Sequence, residues 1–97
     1  MPWTISLENE KKEILDSFHD FSIPKTFDEN KKNSFTLLKY LDPYGDTTFN
    51  HIQMSDLAND LERLRGEISD DVLIDQMISL VNRCKKDVHT HLTFYGD

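Results

Sequence analysis

Leu41-Asp42-Pro43-Tyr44-Gly45-Asp46-Thr47-Thr48-Phe49-Asn50 is the stretch whose reading decides the fold. Asp42 offers a side-chain acceptor, Pro43 a pre-set φ and Gly45 freedom to take positive φ, the ingredients of a tight reversal. Apolar runs flank it, Phe35 to Leu41 before and Thr47 to Met54 after. The expectation is a β-hairpin over about 35–54, with Pro43 and Tyr44 central in a type I turn and Gly45 as the left-handed residue that completes a bulge. Neither arm alternates cleanly: Leu37 and Leu38 are adjacent, and Phe49 faces opposite to Ile52 and Met54. A central strand covered on both faces reads this way.

Downstream of the hairpin the period changes from two to nearly four. Ser55 is a sound N-cap, Asp56 and Asp60 lie early, and Leu57, Leu61, Leu64 and Ile68 form one stripe before Gly66 interrupts, which predicts a helix over about 55–65. A second helix is expected over about 70–86. Ser69 or Asp70 caps it, Leu73, Met77, Leu80, Val81 and Cys84 make its buried stripe with Ile74 and Ile78 widening it, and Arg83, Lys85 and Lys86 close it. Beyond it, alternation sets Leu92 and Phe94 on one face and His91, Thr93 and Tyr95 on the other, a strand over about 90–95.

Upstream, Trp3, Ile5 and Leu7 alternate with Thr4 and Ser6 in an N-terminal strand that is expected to stop at Glu8. From Glu8 to Asp20, Ile14, Leu15 and Phe18 at i, i+1 and i+4 among good helix formers predict a short helix. Residues 21–27 straddle Pro24 as a crossing segment, and the polar run 28–34 reads as an exposed loop. The fold class is therefore α+β: one domain over 1–97, a small mainly antiparallel sheet packed against a two-helix hairpin.

Composition narrows function by exclusion. Ninety-seven residues bury one core, closed here by six Phe, three Tyr and one Trp. A single cysteine, Cys84, permits no internal disulfide, and neither a secretory leader nor a run of the roughly 20 apolar residues that span a bilayer is present, so a cytoplasmic location is expected. The net charge of −7 is repelled by nucleic-acid phosphate and anionic lipid alike, and suits either a basic protein partner or solubility alone, the latter the commoner reason for such a charge. Paired carboxylates are plentiful, but helix dipoles and turns account for most of them, and no phosphate-cradling glycine loop, nucleophile elbow or zinc motif occurs. His89 and His91 would share a strand face, yet a transition metal wants three or four ligands. No catalytic residue, metal or cofactor is assigned, and Cys84 reads as core.

The like-charged pairs Asp56 with Asp60 and Asp71 with Asp75 stand at i, i+4, where repulsion roughly cancels the dipole benefit. Stability alone does not favour that pattern. The acids that local structure is expected to leave free are the loop residues Asp42 and Asp46 and the second-turn residues Asp60 and Asp75, and these are the candidate partner-binding residues.

Leu38-x-Tyr40-Leu41-Asp42-Pro43-Tyr44-Gly45-Asp46-Thr47-x-Phe49-Asn50, with Ile52-Gln53, Leu57-x-x-x-Leu61-Glu62 and the terminal His91-Leu92-x-Phe94-x-Gly96-Asp97, resembles a group of small bacterial proteins that share a DPYGDTxFN turn and a short C-terminal strand. That resemblance covers residues 35 to 97 and implies no catalytic residues. In size, charge and style the chain also resembles the immunity proteins that block contact-dependent or polymorphic bacterial toxins. What this implies is a monomeric, non-enzymatic inhibitor that covers the active site of a cognate toxin, a basic nuclease, with an acidic surface. The alternative is a structural or regulatory interaction module without a toxin partner.

Overall fold

The computed structural model describes residues 3–22, 29–42, 44–68 and 70–96. Four antiparallel strands, β1 (Trp3–Asn9), β2 (Ile14–Phe21), β3 (Asp46–Asn50) and β4 (Thr90–Tyr95), lie in the order β2-β1-β4-β3. Among the described residues three α-helices, the short α1 (Glu29–Asn33) and the longer α2 (Met54–Arg65) and α3 (Asp71–Lys86), accompany the sheet. The α+β class, the N-terminal and C-terminal strands and the two-helix hairpin are as the sequence predicts. No helix among the described residues is long and apolar enough to cross a membrane.

Alternation on β1 and β4 builds the core. Trp3, Ile5 and Leu7 from β1, Leu92 and Phe94 from β4 and Phe49 from β3 share a cluster with Leu57, Leu61 and Leu64 of α2 and Ile74, Met77, Leu80, Val81 and Cys84 of α3. Phe94 is wholly buried and meets Phe21 and Phe49 edge to face at 5.9 and 5.7 Å between centroids. Such pairs add about 0.5–1.5 kcal/mol each beyond the area they bury. Arg65, at the end of α2, pairs with Glu62 on its own helix and with Asp71 and Asp75 on α3, tying the helices across their short joint.

Several expectations are corrected. The hairpin over 35–54 does not form: β3 pairs with β4, and residues 35–41 are irregular, with one turn of 3-10 helix at Leu38–Tyr40. The cause is Asp60. Its carboxylate accepts the amides of Thr36, Leu37 and Leu38 at 3.0, 2.6 and 3.0 Å. Three successive N–H groups converging on one anion curl the backbone into a concave arrangement, whereas a strand would send them alternately to opposite edges. The apolar side chains Phe35, Leu37, Leu38 and Leu41 still reach the core.

Gly45 is not left-handed, since among the described residues Lys12 alone has positive φ. Asp42 still works as a turn residue: its Oδ1 accepts the Tyr44 amide at 2.9 Å, and its carbonyl takes the Gly45 amide and the indole N–H of Trp3. Space rather than φ disfavours a side chain at position 45, where a Cβ would lie 2.8 Å from the Asp42 carboxylate and force that side chain to shift. Pro43 lies outside the described residues. The second arm ends early as well, because Asn50 and Gln53 form a capping box that opens a 3-10 turn leading into α2. That box takes the place expected of Ser55.

The predicted helix over 8–20 is instead β2, joined to β1 by a tight hairpin. Asn9 starts the turn, its Oδ1 accepting the amides of Lys11 and Glu13, and Lys12 N–H donates to the Asn9 carbonyl. Lys12, at φ 61°, holds the left-handed position that follows a type I turn. Irregular register near both ends of the β1–β2 pairing breaks the alternation, so Ile14, Phe18 and Phe21 keep no period of two. The polar run expected as a loop contains α1, and the crossing segment falls largely outside the described residues.

A left-handed lysine is strained by about 1–2 kcal/mol, and glycine relieves this at some cost in unfolded-chain entropy. Lys12→Gly should therefore raise the urea midpoint by the equivalent of about 0.5–1 kcal/mol. A lower midpoint would remove the hairpin assignment.

Candidate functional site

The helices cover one face of the sheet, and the other carries the polar half of each alternating strand. Cross-strand register places Thr4 beside Tyr95, Ser6 beside Thr93 and Glu8 beside His91, while Thr48 and Asn50 on β3 face Thr93 and His91. Ser6, Glu8 and Thr93 on this face are nevertheless buried. Glu8, only 3% exposed, is its centre.

The Glu8 carboxylate is held by three side chains of β4. His91 Nε2 lies 3.0 Å from Oε1, Thr93 Oγ1 donates to the same oxygen at 3.2 Å, and the Tyr95 hydroxyl donates to Oε2. Thr48 Oγ1 meets Thr93 Oγ1 at 3.0 Å and extends the network to β3. Around it lies a depression of about 230 Å³ whose walls include Lys12, Asp46 and Thr48. The hydrogen bond to Glu8, aided by burial and by the carboxylate's charge, holds the Tyr95 phenol above its ordinary pKa of 10.0.

A second histidine–glutamate pair lies at the end of the same two strands, His89 Nδ1 to Glu10 Oε1 at 2.7 Å, both groups largely exposed. The hydrogen bond and charge of Glu10 raise the His89 pKa. Thus His89 and His91 each face a carboxylate, and among the described residues no group of three or more His, Cys, Asp or Glu is placed to hold a metal. Cys84 is buried, and burial pushes its thiol pKa up.

The four candidate acids are not brought together. Asp46 is exposed on the wall of the Glu8 depression. Asp42 is exposed but engaged at its turn. Asp75 is exposed on α3 and pairs with Arg65 at 2.7 Å. Asp60 is 1% exposed, so its expected availability is corrected: it is a structural acceptor for three amides, and its removal would leave those donors unpaired at about 1–3 kcal/mol each. Sequence reasoning missed Glu8. Its signal was present, since Thr4 and Ser6 continue by alternation to Glu8 just as His91 and Thr93 continue to Tyr95.

No family model, curated protein or solved structure matches the chain. The geometry of this face is therefore the basis for a functional reading.

Because Tyr95 is held neutral by Glu8, its contribution to stability is fully present below pH 10 and is lost as pH rises through its raised folded-state pKa. Absorbance at alkaline pH should show a late tyrosine phase above the ordinary phenol range, and Tyr95→Phe should delete that late phase. A late phase that survives the substitution contradicts the network.

Proposed function

We propose that the chain is a non-enzymatic binding protein that receives a basic protein partner on the polar face of its sheet, opposite α2 and α3. The observation that carries this reading is the burial of Glu8 there. Withdrawing a carboxylate from water costs several kcal/mol, and a well-packed apolar replacement is often as stable or more so, so selection for stability alone gives little reason to keep it. What the carboxylate does supply is order. It fixes His91, Thr93 and Tyr95 in one arrangement beside Asp46, and a pre-organised surface loses less entropy on binding.

Both Glu8 oxygens already accept from the chain's own donors, which argues against its use as a general base and favours recognition over catalysis. The net charge of −7 complements a basic surface and speeds encounter with it. At a finer level we read the partner as a bacterial toxin domain, a basic nuclease, and this chain as the immunity protein that covers its active site. Acidity, small size and the resemblance in size, charge and style to such immunity proteins support that finer reading.

The test is binding kinetics against the protein encoded beside this one, at low and at physiological salt. Asp46→Asn should slow association several-fold at low salt and much less at high salt, and Tyr95→Phe should speed dissociation. Absence of binding sinks the toxin reading, and tight binding indifferent to both substitutions removes this face as the contact.

A further inference from the structure

Each hydroxyl around Glu8 has a single proton, and the network fixes where that proton points. A carboxylate only accepts, so Thr93 Oγ1 and the Tyr95 hydroxyl both direct their protons at Glu8. Thr93 therefore meets Thr48 Oγ1, 3.0 Å away, as the acceptor, and the Thr48 proton points inward as well. His91 Nε2, 3.0 Å from Glu8 Oε1, carries a proton for the same reason, which leaves Nδ1 of the neutral ring as an acceptor. The buried anion thus draws the donors of its neighbours inward, and Thr48, His91 and Tyr95 are left with lone pairs to offer.

These three side chains line the depression of about 230 Å³ together with Asp46, an exposed carboxylate on β3. The hydrogen bond to Glu8 is the main cause of the raised Tyr95 pKa and the charge of Asp46 adds to it, so both carboxylates act on the phenol. Among the described residues Asp46 is in no ion pair, and neither is Lys12, the exposed cation on the wall. With His91 neutral, two carboxylates against one ammonium leave the depression net negative. It is a surface of acceptors around an anionic centre.

We propose that this depression is the socket for an arginine of the basic partner, whose guanidinium donates to Asp46, Thr48 and Tyr95. The inference rests on the reading of the polar face as a partner-binding surface and names the side chain that the face takes. A guanidinium carries five donors in one plane and no acceptor, keeps its charge, and is weakly hydrated, so it loses little water on entering. An ammonium has three donors and holds its water more tightly. A phosphate or carboxylate would set lone pairs against lone pairs.

The probes are acetyl-Gly-Arg-Gly-amide and its lysine and citrulline counterparts, titrated against the full chain with amide shifts followed by NMR. Citrulline keeps the shape of arginine but is neutral and carries a carbonyl. The arginine peptide should shift the amides of Asp46, Thr48, Thr93 and Tyr95, with the lysine peptide bound about threefold or more weakly and the citrulline peptide without effect. Asp46→Asn and Thr48→Val should each weaken arginine binding about threefold or more, and Lys12→Gly should tighten it by removing a competing cation. Thr48→Val lies on the exposed edge strand and tests the acceptor pattern without touching the buried carboxylate. Equal shifts from all three peptides, no shift at the four amides, or indifference to both Asp46→Asn and Thr48→Val would overturn the arginine socket. The protein encoded next door separates this from the wider reading: if it binds with kinetics sensitive to Asp46 and to salt while the peptides fail, the face stands and the arginine socket falls. If both fail, the face falls as well.

Discussion

The fold depends on β4 lying between β1 and β3. Strands from the beginning and the middle of the chain become one sheet only when the last strand pairs with both, six register positions with β1 and five with β3. That single insertion makes both faces. On one side it delivers Leu92 and Phe94 to the helices, and on the other it brings His91, Thr93 and Tyr95 to Glu8. The core and the candidate site are therefore two consequences of the same pairing, which also makes the sheet a long-range assembly that closes late in sequence.

Much of this was legible where local pattern and tertiary need agree. The stripes on α2 and α3 follow the helical period and mostly become buried, with Ile68, Leu73 and Ile78 half-buried against the core, and the alternation of β4 assigns its polar and apolar faces correctly. The mistakes fall where one side chain overrides a local preference. Phe35 to Leu41 has a strand-like composition, yet Asp60, 22 to 24 residues away, gathers three of its amides. No windowed reading of the sequence could reach so far.

The N-terminal hairpin was hidden for a different reason. Its turn uses lysine where glycine would announce a left-handed residue, and its irregular register cancels the period-two signal. The left-handed turn residue expected at Gly45 is found instead at Lys12. Glu8 is missed for another reason: the alternation of Thr4, Ser6 and Glu8 is intact, but the helix expected from Glu8 onward ends the strand before its polar face is complete. In the candidate site, the acids chosen for freedom from local structure proved mostly engaged, and the residue at the centre is one that the structure buries.

If β4 is what assembles both faces, a chain ending at Val88 should have no cooperative urea transition and little near-ultraviolet signal from Trp3, and adding a peptide of residues 89–97 should restore both. A truncated chain that unfolds cooperatively at the midpoint of the full-length protein would contradict the account.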